Sequence, residues 1–523
     1  MSTKTDEPAA DASEARTAGR GGIAIAIAKI SFVLLGLVQQ LVFPRVLDEA
    51  GYGSVSRMLA IVSVVNNVIV ASSIQGVSRM VAGAKPGEED AAFRTTLTVH
   101  VVIALTASIV FAALAGFIAG WVGAPHATTP IRVAGGVILC YGVYAPMVGA
   151  LNGKKRFTVQ ASLDILYGVA RTIAMTVGAW AFARVLHLDG ATGAATGFVL
   201  AAAFIIPVAV RKSGTGSNGS SALSRGAYVA FIGPLIVAQI GLNLLLQTDF
   251  FLMSRAVGAG ALARGLSLDE ADKLVGYYRS AQLFGFLPYQ LLMSVQFVLF
   301  PLLAKASSED DAEGVKRLTR SGVRLAFILT GLIAGTIASL GPQLLSFAFP
   351  ANIAEKGASF VRIYVLGLAS LAILGVASAA LTSLRRERWA VLLTWAAVAL
   401  VGGAILVLQP ADAFGLPLLQ RTAAATAVAM TLAAILGAVL LWRAAGAFVA
   451  PLTMARVFVA TAVTVGLGLL VPSPSRGIVA KLIGPGVAPV MAVVYLGVLF
   501  ALRELGAADV DLVKRVLRRG KQG

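Results

Sequence analysis

Three residues in the first long apolar run could do chemistry together. Lys29, Gly36 and Gln40 lie seven and four residues apart, and at 100° per residue a helix brings them onto one narrow face. Within 163–184, Asp164 and Arg171 repeat the seven-residue spacing. In 275–304, Arg279, Gln282 and Gln290 form a polar stripe, with Pro288 and Pro301 in the same run. In 227–253, Gln239, Asn243 and Gln247 recur every four residues, while Asp249 points about 120° away from Asn243 on a straight helix. Ser63, Asn66 and Ser73 share a face of 55–81. An ionisable group inside hydrocarbon costs about 2.5–3.5 kcal/mol, so each of these must face protein or water and find a partner. Bases and amides converging on a wet chamber suit an anionic, hydroxyl-rich ligand. The expected chamber residues are Lys29, Gln40, Asn66, Arg171, Asn243, Arg279, Gln282 and Gln290, with Asp164 and Asp249 as candidates for ion coupling or gating. A structural reading competes: Lys29 snorkels to the membrane edge, Asp164 and Arg171 pair with neighbouring helices, and the amides join helices at about 0.6 kcal/mol each.

The elements that would position these residues are transmembrane helices. Hydrophobic residues make up 58% of the 523-residue chain and charged residues 13%, against about 45–50% and about 25% in soluble domains. Apolar runs of roughly 20 residues, the length that crosses a bilayer core, give about fourteen spans, from 22–43 to 480–502. The basic residues, which take the net charge to +18, punctuate these runs, so they read as loop anchors and not as a nucleic-acid surface. Most fall in the tails and in alternate loops, notably KKR (154–156), RK (211–212), RRER (385–388) and KRVLRR (514–519). That excess places both termini in the cytoplasm. Residues 1–18 read as a disordered cytoplasmic tail, 213–226 as a cytoplasmic linker and 506–523 as a basic amphipathic tail. SEDDAEGVKRLTR (308–320) reads as a helix outside the bilayer with a serine N-cap.

The linker separates six spans (19–212) from six more (227–408, extending to about 442), followed by two extra helices (443–505). The expected fold is therefore an all-α polytopic membrane protein of about fourteen transmembrane helices, in two pseudo-symmetric six-helix bundles plus two C-terminal helices. Six spans per half makes the halves parallel repeats. The GxxxG pairs Gly116/Gly120, Gly193/Gly197 and Gly331/Gly335 are expected at close helix contacts. Catalytic motifs are missing: GALNGKK (149–155) has too short a glycine spacing for a P-loop, and no HExxH or GxSxG occurs. His100, His126 and His187 are far apart in sequence and Cys140 is the only cysteine, so neither a metal site nor a disulfide is expected. A transporter is expected rather than an enzyme.

GRGGIAIAIAKISFVLLGLVQQLVFPRVL (19–47) followed by AGYGSVSRMLAIVSVVNNVIVASSIQGVSRMVA (50–82) resembles the opening helix pair of bacterial polysaccharide-unit flippases. These belong to the multidrug/oligosaccharidyl-lipid/polysaccharide exporter superfamily. GKKRFTVQASLDILYGVAR (153–171) resembles their fifth-helix entry, and DFFLMSRAVGAG (249–260) with VGYYRSAQLF (275–284) their seventh and eighth helices. The loop between those last two is longer than the family pattern. The resemblance implies two bundles around a central cavity, and flipping of undecaprenyl-pyrophosphate-linked oligosaccharide (O-antigen, capsule or exopolysaccharide units) to the outer leaflet of the bacterial cytoplasmic membrane by alternating access. A lipid II flippase and a cation-coupled multidrug antiporter are the alternatives within the superfamily. It further implies a monomer with no cofactor beyond H+ or Na+ coupling, and lipid-linked oligosaccharide, membrane lipids, a polysaccharide polymerase and other assembly proteins as partners. Asp249 falls on the family's seventh-helix Asp.

Overall fold

The computed structural model describes residues 7–217, 223–410, 412–472 and 478–506. The described residues fold into helices: α1 (Glu7–Val46), α2 (Glu49–Ala82), α3 (Glu89–Ala113), α4 (Ala115–Trp121), α5 (Thr128–Gly153), α6 (Phe157–Trp180) and α7 (Gly190–Ser213). They continue with α8 (Arg225–Leu245), α9 (Thr248–Ala263), α10 (Leu268–Gly285), α11 (Leu287–Ser308), α12 (Ala312–Ser339), α13 (Gly341–Ala348) and α14 (Ala351–Ala358). The last are α15 (Val361–Ser383), α16 (Glu387–Leu408), α17 (Leu416–Ala445), α18 (Pro451–Gly468) and α19 (Ile478–Ala501). A 3₁₀ turn, Pro125–Ala127, precedes α5, and a π-helical turn, Ala181–Val185, ends α6. Among the described residues thirteen segments are long and apolar enough to cross a membrane, and the chain is a multi-pass membrane protein.

Three expectations about the elements need correction. Residues 7–18 are helical and continuous with α1, because the segment is rich in Ala, Glu and Arg, all strong helix formers; residues 1–6 lie outside the described residues. The expected spans 227–253 and 275–304 are each broken. The first ends at Leu245, and α9 starts afresh with Asp249 in its first turn, where the helix dipole favours a carboxylate. The second stops at Gly285, and Pro288 sits in the first turn of α11, a position where its missing N–H leaves nothing unsatisfied. The expected helix at 308–320 is the start of α12, which runs on into the membrane span. Its cap is Asp311, whose carboxylate accepts from Gly314 N at 2.8 Å, in place of the expected serine.

Two compact units result, and their boundary is not the linker. The first comprises 1–247 and 254–275, the second 248–253 and 276–523. α8 therefore belongs with the first six spans: it packs on α2 and α3, and Tyr228 Oη lies 2.7 Å from His100 Nε2. The first stretch of the linker folds back onto α3, with Ser217 N donating to Asp90 O; 218–222 and the expected C-terminal tail from 507 lie outside the described residues.

In the first unit α1 packs on α6, α2 and α3 on α5, and α7 on both α5 and α6. Methyl groups on Gly193 and Gly197 would come within 2.2 Å of Gly178 O and 2.0 Å of Ala174 O, so backbones touch there as the GxxxG spacing predicts. Gly116 and Gly120 do not behave so, since a methyl on Gly120 would meet nothing within 4 Å. In the second unit α15 packs on α11, α12 and α17, and α18 and α19 pack on α12. Gly331 belongs to that last contact, beneath the Tyr495 hydroxyl, which donates to Ile328 O at 3.1 Å.

Candidate functional site

One face of α6 gathers the chemistry of the first unit. Gln160, Asp164, Tyr167 and Arg171 follow at four-, three- and four-residue steps, an arc of about 60° on a helix. α1 supplies Lys29, Phe32 and Gly36 opposite this face; α5 supplies Tyr141 and Tyr144. Asp164 accepts from Tyr144 Oη at 3.2 Å and interacts electrostatically with Lys29. The Arg171 guanidinium lies over the Phe32 ring, 4.4 Å from its centre, a cation–π contact worth about 0.5–2 kcal/mol. Tyr141, Tyr144 and Tyr167 meet with ring centres 5.2–5.9 Å apart. A methyl on Gly36 would lie 3.7 Å from Arg171 Nη2, so the small residue on the α1 stripe makes room for the guanidinium.

Three polar atoms on that face are buried with no hydrogen-bond partner in the protein: Arg171 Nε, Gln160 Oε1 and Tyr167 Oη. Buried polar atoms are satisfied in the great majority of cases. A donor, an acceptor and a hydroxyl left open beside two bases and one acid form a place for a polar ligand.

The second unit holds a different arrangement around Asp249, whose residue is 3% exposed. Tyr278 Oη donates to its Oδ2 at 2.7 Å, Tyr364 Oη donates to the same oxygen, and Gln282 Nε2 donates to Oδ1 at 3.4 Å. Arg279 is held by Gln282 Oε1 at 2.6 Å and lies over the Phe250 ring. Arg279 also acts on Asp249 electrostatically. The arrangement keeps a buried carboxylate fully bonded, as its burial demands.

The expected chamber residues divide accordingly. Lys29 meets Asp164, one of the two acids expected to couple or gate, and Arg171 lies further along the same α6 face against Phe32 and Gly36 of α1. Gln40 accepts from Tyr52 Oη at 3.3 Å, a helix contact between α1 and α2. Asn243 accepts from Asn67, at 3.1 Å, and not from Asn66, whose Oδ1 is buried and unbonded. Arg279 and Gln282 serve the Asp249 cluster. Gln290 is exposed and stands on α11, beyond the turn at Phe286 that separates it from Arg279 on α10. Gln247 likewise lies past the end of α8.

Sequence reasoning missed a second buried constellation in the first unit. Arg57, fully buried, pairs with Asp272 and donates through Nε to Ser254 Oγ at 2.7 Å. His126 Nε2 lies 2.9 Å from the other Asp272 oxygen. Arg57 sits where 55–81 begins and reads as a loop base, and its partner lies far along the chain. The tyrosines were within reach: Tyr141 and Tyr144 are one turn apart, and Tyr167 and Arg171 follow Asp164 at helical spacing.

Comparison with known proteins adds to this geometry. Residues 18–307 match a family model described as polysaccharide biosynthesis protein. The fold is similar to the lipid II flippase MurJ in an inward closed conformation, at TM-score 0.70 and 13% identity, covering 92% of this chain and 99% of that one. It is also similar to an inward-facing multidrug resistance MATE family transporter of the MOP superfamily, at TM-score 0.61 and 14% identity, covering 80% and 98%. A segment of 143 residues is 31% identical to the probable multidrug resistance protein NorM of Deinococcus radiodurans, covering 27% of this chain. In that match the chain spans 28% of the relative's length.

Proposed function

Because the chain belongs to the polysaccharide biosynthesis protein family, within the MOP superfamily of flippases and transporters, we propose that it flips an undecaprenyl-pyrophosphate-linked oligosaccharide from the inner to the outer leaflet of a bacterial cytoplasmic membrane by alternating access. The observation that carries this reading is the open polar face of α6: Lys29 interacts with Asp164, Arg171 stands two turns further along over Phe32, and Arg171 Nε, Gln160 Oε1 and Tyr167 Oη are left unbonded. A diphosphate joined to sugars needs a planar donor for its oxygens and hydroxyl and amide partners for the glycan, since neither crosses hydrocarbon without compensation. The interior-negative membrane potential assists outward movement of an anion by about 2.3 kcal/mol per charge per 100 mV. With both termini in the cytoplasm, α1 enters from the side on which such a substrate is assembled.

The match to a multidrug resistance protein supports an antiporter as the second reading. A cationic drug would be repelled by Lys29 and Arg171. Purified protein in sealed vesicles separates the readings: we expect translocation of a lipid-diphosphate oligosaccharide and no uptake of cationic dyes driven by a proton or sodium gradient. Dye uptake with no lipid translocation would overturn the proposal. Translocation of lipid II alone would replace the substrate named here with that one.

A further inference from the structure

The turn from α6 to α7 sorts its side chains. α6 ends in the π-helical turn Ala181–Val185, and His187 follows with a left-handed backbone at φ 54°, a conformation in which histidine is enriched. Arg184, His187 and Asp189 line a cavity of about 520 Å³, whose other walls are the α1–α2 turn, His126 and the start of α10. Every wall belongs to the first unit, and the volume lies in the range of about 300–1,000 Å³ that takes small organic groups. Val185, Leu186 and Leu188, interleaved with the polar residues, are exposed. Phe157–Val185 and Gly190–Ser213 are both candidate crossings, so the turn between them stands where hydrocarbon gives way to headgroups. Its apolar side chains suit lipid chains, and the cavity suits a polar group held at the same depth.

The charges of the cavity fall into two sets. Three carboxylates are engaged within the protein: Asp48 accepts from Gly51 N, Asp189 accepts from Ala191 N and Thr192 N, and Asp272 is held by Arg57 and His126. Arg184, His187 and Asp269 make no hydrogen bond or ion pair among the described residues; Asp269 acts only electrostatically, on Lys273 of its own helix. A guanidinium and an imidazole are partners for phosphate oxygens, and a carboxylate is the partner for an ammonium. A simple anion would be repelled by Asp269 and a simple cation by Arg184. An occupant that carries both charges on one small head meets neither penalty.

We propose that this cavity binds the headgroup of a phospholipid bearing a primary ammonium, phosphatidylethanolamine, with Arg184 and His187 on the phosphate and Asp269 on the ammonium. That ammonium offers N–H donors to a carboxylate; the trimethylammonium of phosphatidylcholine offers none, and phosphatidylglycerol has no cation. The test uses the full chain in phosphatidylcholine nanodiscs into which phosphatidylethanolamine or phosphatidylglycerol is titrated, and reads thermal unfolding. Phosphatidylethanolamine is expected to raise the wild-type Tm to a plateau, and phosphatidylglycerol to give no such rise. Asp269→Asn and Arg184→Gln are each expected to increase the phosphatidylethanolamine content for half the rise about fivefold, the effect of losing one ion pair at an open site, and the two together to remove the rise. An absent wild-type rise overturns the proposal, as does an equal rise with phosphatidylglycerol. A rise that both variants keep unshifted also overturns it, and would assign the effect to the bilayer as a whole. Should either variant not fold, His187→Gln decides by the same criteria.

Discussion

Arg171 is the residue on which the proposed site turns. Its guanidinium is braced by Phe32, and its Nε is buried without a partner. Arg171→Ala is expected to slow translocation about 10–100-fold, the effect of losing one or two charge-assisted hydrogen bonds, with unfolding temperature changed little. Arg171→Lys is expected to recover only part of the rate, because an ammonium is a point charge without the planar fork. Equal rates for Lys and Arg at 171 would mean that only net charge matters. The Arg57–Asp272 pair should behave in the opposite manner. Asp272→Asn leaves a buried guanidinium uncompensated and is expected to lower stability by about 3–5 kcal/mol, read as a fall in Tm or in folded yield. Asp164, Arg171 and Lys29 were legible because a charge in a run of apolar residues announces itself, and helical spacing places it on a face. Arg57 was not legible, since a base near the start of a span is indistinguishable from a loop anchor until Asp272 is seen against it. Asp249 was legible as a buried acid; Tyr278 and Tyr364 as its partners were not, because they come from separate helices.

At the scale of the element, the face of α6 opposite α7 is fixed by glycine. Gly197→Leu would drive a side chain into the Ala174 carbonyl and is expected to abolish folded yield, whereas Gly120→Leu, with open space around it, is expected to leave yield and Tm unchanged. GxxxG spacing alone could not separate these pairs, because it reports what a helix permits and not whether a neighbour arrives. The breaks at Leu246–Gln247 and Phe286 were hidden for a similar reason: hydropathy runs straight through both. The signals were local, Asp249 as a first-turn acid and Pro288 as a first-turn proline, and the apolar run outweighed them. The C-terminal pair α18 and α19 is pinned to α12 through Glu504, which accepts from Arg324 Nε at 2.8 Å, Arg456 at 3.1 Å and Thr453 at 3.0 Å. Burial pushes the Glu504 carboxyl up, and the bonds from Arg324, Arg456 and Thr453 outweigh it and hold the group below the ordinary glutamate range. A carboxyl depressed in the folded state adds stability above its unfolded titration range and loses it as pH falls through the folded one. The acid side of the Tm-against-pH profile should therefore flatten in Glu504→Gln, at a lower plateau near neutrality; an unchanged acid limb would show that the pin contributes nothing.

At the scale of the whole molecule, the helical polytopic fold of the described residues and the number of crossings, to within one or two, followed from composition and from the lengths of the apolar runs, and the kinship to a polysaccharide biosynthesis family from the resemblance carried by the early spans. The division into compact units did not, because the Ser/Gly-rich stretch at 213–221 looks like a boundary while α8 packs on α2 and α3. The central claim is that the first unit's α6 face, with Lys29 from α1, receives an anionic lipid-linked headgroup. It is tested most directly by translocation of a lipid-diphosphate oligosaccharide in vesicles reconstituted with Lys29→Ala/Arg171→Ala, beside a Gln290→Ala control. The account predicts that the double variant inserts and folds as wild type but flips at under about a hundredth of its rate, with the control unimpaired. A double variant that flips at the wild-type rate would contradict it.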